Sequence, residues 1–147
     1  LGRGSAIKGQ KRGRFLENET ETIIKKVFGD RFVKGCNFKG KQGLVAKAEF
    51  AIPDKDDPCI IFEAKAYGAT GSKQTDVIGD IEKIIKAKKD RTEFLFVTDG
   101  STWRQRLSDF RKIIAFQNEG SIRKIYTLSM LNELKFDLET LKNDFGM

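Results

Sequence analysis

An acid two residues ahead of a lysine occurs twice in the chain, as Glu63-Ala64-Lys65 and as Glu133-Leu134-Lys135. The second falls among leucines at helical spacing, where positions i and i+2 diverge around the cylinder and cannot share a metal or a phosphate. The first falls in a β-prone run, where i and i+2 project from one face of the sheet. Glu63 and Lys65 then point together, while Phe62 and Ala64 point to the other side. A carboxylate and an ammonium so disposed could hold a cation and stabilise charge developing on a substrate. The competing reading is an exposed strand with a surface ion pair of little energetic consequence. The apolar run Cys59-Ile60-Ile61-Phe62 just ahead argues for a buried strand instead.

The run Leu44 to Pro53 precedes that strand, and the polar stretch Asp54-Lys55-Asp56-Asp57-Pro58 separates them, so the pair reads as a β-hairpin. If the hairpin turns near Asp56, Glu49 lies opposite Glu63, since both are equally distant from the centre. Facing carboxylates repel unless a cation sits between them or one takes up a proton. Mg2+ suits such a site, with oxygen ligands, retained waters and direct contact to a substrate phosphate. The chain contains no histidine, which excludes histidine-based nucleases and the usual Ser-His and Cys-His hydrolases. Carboxylates, lysine and a hard metal ion must carry any hydrolysis.

Positioning these residues requires a sheet, and the rest of the chain supplies its parts. With 147 residues, 39% hydrophobic and 33% charged, it is long enough for one domain and one core. Residues 1–14 are basic and Gly-rich (Arg3, Lys8, Lys11, Arg12, Arg14) and read as an arm or linker; residues 15–147 form the single domain. A first helix is expected over Phe15 to Phe28, then a strand from Arg31 to Phe38, then the hairpin. After Gly68-Ala69-Thr70-Gly71-Ser72 comes a helix with a stripe of Val77, Ile78, Ile81, Ile84 and Ile85. Glu93 to Thr98 reads as a buried strand. A third helix, capped by Ser101, turns Trp103, Leu107, Phe110, Ile113 and Ile114 inward. Ile122 to Leu128 is a last strand, and Ser129 caps a last helix carrying Leu131, Leu134, Leu138 and Leu141 on one face. The order is α-β-β-β-α-β-α-β-α, an α/β domain with a mixed central sheet flanked by helices.

This order, with Glu63-x-Lys65 ending the third strand and an acid one hairpin upstream, resembles the PD-(D/E)xK nuclease superfamily. That superfamily includes most type II restriction endonucleases and the archaeal Holliday-junction resolvases, and the likeness spans roughly Phe15 to Leu128. Glu63 to Lys73 and Thr98-Asp99-Gly100-Ser101-Thr102-Trp103 look most like restriction-enzyme segments. The resemblance implies Mg2+-dependent hydrolysis of DNA phosphodiesters to 5′-phosphate ends, with Glu49 and Glu63 as metal ligands and Lys65 as the catalytic lysine. The family's first acid is usually Asp. Pro53-Asp54 matches those letters but falls in the loop, so Glu49, on the strand opposite Glu63, is preferred to Asp54. Glu17, on the first helix, is a further candidate for the metal site, as a first-helix acid is in some members.

For DNA contacts the candidates are Lys73 and Gln74 after the Gly-rich loop, and Arg104 and Arg106, whose alternative is a solvated helix face. A net charge of +7 suits a polyanion such as double-stranded DNA. No run approaches the length needed to cross a bilayer, and two cysteines outside any C-x-x-C pair suit a reducing cytoplasm. The first residue is Leu, so the chain reads as the cleavage domain of a longer type II restriction enzyme. A homodimer is expected because a duplex has two strands to cut. The alternatives are a resolvase-like nuclease that prefers branched DNA, and a non-catalytic nucleic-acid-binding module of the same fold.

Overall fold

A computed structural model describes residues 2–66, 76–100 and 107–147 of the chain. Its helices are α1 (Gly2–Phe28), α2 (Val77–Ala87), α3 (Leu107–Asn118) and α4 (Leu131–Asp144). Its strands are β1 (Val33–Lys39), β2 (Val45–Ile52), β3 (Ile60–Lys65), β4 (Glu93–Thr98) and β5 (Lys124–Tyr126). The strands form one sheet in chain order, antiparallel from β1 to β3 and parallel from β3 to β5. This is the mixed sheet and element order expected of a restriction endonuclease-like core.

Alternation along the strands divides the core in two. Ile60, Phe62, Ala64, Leu95 and Val97 pack with the apolar faces of α1 and α4. Ile61, Phe94 and Phe96 pack with Val77, Ile81 and Ile84 of α2 and Ile113 of α3. β3 and β4, covered on both faces, are buried almost throughout, which is why they read as apolar runs.

Three expectations need correction. Helix α1 begins at Gly2 rather than at Phe15, so residues 2–14 continue the first helix. That segment contains no proline, and its Ala, Ile, Gln, Lys and Arg residues sustain a helix anchored by the packed turns from Leu16 onward. Ser129 lies inside a 3-10 turn (Leu128–Met130) and caps nothing; its hydroxyl pairs with that of Thr127, and Met130 stands at the start of α4. Leu107, expected inward, is exposed at the start of α3. Ser101, Trp103 and the Gly-rich segment 68–72 lie outside the described residues.

The hairpin of β1 and β2 bends sharply. Phe50 and Ile52 pack on the α1/α4 side, yet Ala46 and Ala48, also even-numbered, pack on the α2/α3 side. A regular strand keeps residues of one parity on one face, so β2 changes face at Glu49. The facing residue of β1 is Gly35, which has φ +56 and is missing from an otherwise continuous ladder running from Val33↔Ala51 to Lys39↔Val45. Glycine reaches that conformation at no steric cost. Beyond the bend the hairpin straps over α2: Gly40 lies so close that a Cβ there would sit 1.8 Å from the Ala87 carbonyl oxygen. The Lys39 N–H donates to Lys55 O at 2.8 Å, which ties the strap to the β2–β3 loop. Glu49 therefore stands at the bend.

Candidate active site

The pairs Phe50↔Phe62, Ala51↔Ile61 and Ile52↔Ile60 centre the β2–β3 hairpin on Asp56, as its symmetry predicts. The next pair would be Glu49 with Glu63, and there the ladder ends. The Glu49 N–H donates to Glu63 Oε1 at 2.9 Å, so a carboxylate takes the place of the strand's own acceptor. The bend has opened the two strands just enough to admit it.

Glu63 is only 5% exposed, which removes the surface-pair reading. Lys65 Nζ lies 3.1 Å from Glu49 Oε1 and 3.8 Å from Glu63 Oε2, bridging the two acids. Both Glu49 and Lys65 keep partial access to solvent, so the cluster opens at the sheet edge where β3 ends. Burial pushes the Glu63 carboxyl up to about 8, with Glu49 and Asp80 adding to the rise and Lys65 and the Glu49 N–H opposing it. Burial pulls Lys65 the other way, towards losing its proton, but Glu63 and then Glu49 more than offset this, and its pKa is held above the ordinary lysine value. The site thus holds a buried acid, Glu63, whose charged form burial disfavours and Lys65 only partly stabilises.

The donor set fits a hard divalent cation. Two carboxyl groups, those of Glu49 and Glu63, meet at Lys65 Nζ, and oxygen donors of this kind suit such an ion. Among the described residues no group of three His, Cys, Asp or Glu side chains is placed to hold an ion. Glu49 and Glu63 would supply the protein ligands, leaving further positions to water and substrate, as magnesium sites commonly do.

The other sequence candidates divide clearly. Glu17 on α1 is raised by burial and next by Glu49, so it borders the cluster without completing a three-acid group. Asp54 is exposed in the β2–β3 loop and accepts the N–H groups of Asp56 and Asp57 at 2.9 and 3.0 Å, an Asx-type turn at the opposite end of β3 from Lys65. Lys73, Gln74, Arg104 and Arg106 lie outside the described residues. Two contributors were not singled out from the sequence. Asp80, half-buried in the first turn of α2, acts on the charge of both Glu63 and Lys65. Gly35 opposes Glu49 at the bend, and a lone glycine in a strand pattern is the signal that could have found it.

Replacing each first-acid candidate separates them. Glu49→Ala is expected to lower cleavage about 100-fold or more, the scale for removing one transition-state-stabilising group. Asp54→Ala should leave cleavage within about twofold and cost roughly 1 kcal/mol of stability through its turn. Single-turnover cleavage assays and thermal melts on the two variants measure both.

Residues 5–137 match the model of the DpnII restriction endonuclease family, nearly the whole chain. The chain belongs to the DpnII restriction endonuclease family. The type II restriction enzyme LlaDCHI of Lactococcus lactis subsp. cremoris is 33% identical to it over 76 residues, half of this chain. That alignment spans 23% of the length of LlaDCHI. No solved structure matches the chain. Family membership and the fold agree, since all five strands, β1 through β5, fall inside the matched region.

Proposed function

We propose that the chain is the Mg2+-dependent DNA-cleaving domain of a type II restriction endonuclease. The observation that carries this reading is the cluster of Glu49, Glu63 and Lys65 at the open end of β3. It sits in a chain of the DpnII restriction endonuclease family.

When bound, Mg2+ would supply positive charge to the scissile phosphate and to the attacking water. The chain's own residues do the rest. Glu63 is held by β2, β3 and β4 around it and by the Glu49 N–H, so its carboxylate cannot swing away. Glu49, at the bend, faces it from the partly open side. Lys65 Nζ is near enough to both acids to sit beside a phosphate they address, where it stabilises charge growing on the phosphoryl oxygens or orients the nucleophile. Its raised pKa keeps it an ammonium at neutral pH.

Double-stranded DNA is the proposed substrate, cut to 5′-phosphate ends, by a homodimer in the cytoplasm. None of the described helices is long and apolar enough to cross a membrane. The test is incubation of supercoiled plasmid with the purified chain in Mg2+ or in EDTA. Nicked and linear products in Mg2+ alone are expected. A folded protein that leaves plasmid, linear duplex and branched DNA intact with Mg2+ and Mn2+ would overturn the enzyme reading in favour of a binding module. Preference for a four-way junction over linear duplex would move it towards a resolvase.

A further inference from the structure

Helix α1 has two unlike halves. At about 1.5 Å per residue its 27 residues span roughly 40 Å. In its second half Leu16, Thr20, Ile23, Ile24, Val27 and Phe28 are buried, and the helix packs against β3, β4 and α4. Lys11, Arg12, Arg14 and Phe15 are exposed. The charge divides at the same place: residues 2–14 hold Arg3, Lys8, Lys11, Arg12 and Arg14 and no acid, and the acids begin at Glu17. Among the described residues, Lys11, Arg12 and Arg14 make no ion pair, so their charge is not spent within the fold.

The direction in which this half leaves the domain is fixed by its neighbours. Arg12 and Phe15 line a cavity of about 220 Å3 with Asp99 and Leu128. Asp99 follows Thr98, the residue of β4 registered with Lys65. Glu17, the next acid along the helix, borders the Glu49–Lys65 cluster. The basic turns therefore extend from the same edge of the sheet at which Lys65 is partly accessible, about 20 Å of helix.

We infer that the basic first half of α1 is a rigid phosphate-binding arm that lies along the backbone of the DNA duplex held at the Glu49–Glu63–Lys65 edge. This rests on the nuclease reading and adds the element that holds the substrate there. Exposed cations such as Lys11, Arg12 and Arg14 on a helix neutralise backbone phosphates without reading bases, so their contribution is to affinity at any sequence and is strongly salt-dependent.

The test uses K11Q/R12Q/R14Q, in which glutamine preserves helix propensity, beside a control K25Q/K26Q/K135Q. The control removes the same net charge from the opposite end of α1 and the adjoining α4. Binding to a fluorescent duplex is followed by anisotropy in Ca2+ across a range of salt concentrations, with circular dichroism and thermal melts for both variants. The arm variant is expected to keep the parent's helicity and melting temperature, bind about 10- to 100-fold more weakly at physiological salt, and lose about 2–3 from the slope of log affinity against log salt. The control should stay within a few-fold of the parent. Equal loss in the two variants, or the parent's affinity and slope in the arm variant, would overturn the arm. A parent that neither binds nor cuts duplex DNA would overturn the nuclease reading and the arm with it, whereas a cutting parent with an unaffected arm variant overturns the arm alone.

Discussion

Lys65→Ala is expected to abolish Mg2+-dependent plasmid cleavage, by about 1000-fold or more in a single-turnover assay, while the protein binds divalent cations more tightly than its parent. The loss of rate follows from removing the ammonium that, among the described residues, lies within 4 Å of both acids, since groups that meet developing phosphoryl charge contribute on this scale. The gain in metal affinity follows from the same distances. Lys65 bridges Glu49 and Glu63, and an incoming cation must compete with it for their oxygens; without it the two acids lose the ammonium that bridges them. Isothermal titration with Mn2+ or Ca2+ and a cleavage time course measure the two effects. Lys65→Arg should not restore cutting, because a planar five-donor fork cannot take the place of a compact ammonium between two carboxylates. Retained cleavage in the alanine variant, or a loss of metal affinity that parallels the loss of rate, would assign Lys65 a structural role.

The opposite directions of these effects depend on how the hairpin is built, and that is where the sequence was most and least legible. The symmetry of β2 and β3 about Asp56 could be read from spacing alone, because strand alternation and a polar turn leave little freedom in register. So could the faces of β3, where Phe62 and Ala64 go to α1 and Glu63 does not. What spacing could not supply is the bend. Ala46, Ala48, Phe50 and Ile52 look like one uninterrupted face, and only Gly35 on the neighbouring strand hints that the chain changes side between them. As a result, Glu49 was expected as a regular cross-strand neighbour, whereas it donates its backbone N–H to the carboxylate opposite.

The N-terminal helix fails to show for a different reason. Residues 2–14 carry no apolar stripe, and amphipathicity is the signal that separates helix from coil. Their helix is continuous with turns that do pack, and continuity is a property of the fold rather than of the local sequence. Asp80 escaped notice likewise: an acid in the first turn of a helix is explained well enough by the helix dipole, and its bearing on Glu63 and Lys65 arises only when α2 is laid across the sheet.

The burial of Glu63 makes the second large effect a trade of stability against activity. With its carboxyl raised from the ordinary 4.5 to about 8, the folded chain holds a proton between those values that the unfolded chain has released. Its stability is therefore highest below the ordinary carboxylate pKa and declines as pH rises towards 8, by up to about 1.4 kcal/mol per pH unit from this group. Glu63→Gln keeps the shape and an oxygen for the Glu49 N–H while removing the titration. In EDTA at pH 8 it should be more stable than the parent by about 2–4 kcal/mol, roughly 5–15 °C in Tm for a chain of this size. At pH 5 the two should melt together. Mg2+ should raise the parent's Tm at pH 8 and leave the variant's almost unchanged, because the cation then meets a carboxylate charge whose burial Lys65 and the Glu49 N–H only partly offset. Cleavage by the variant should fall about 1000-fold. Melts in EDTA and in Mg2+ at both pH values, with a cleavage assay beside them, decide the matter. A variant that melts below its parent at pH 8, or a parent whose stability does not fall between pH 5 and 8, would mean that Lys65 already balances the site and that no cation is needed to complete it.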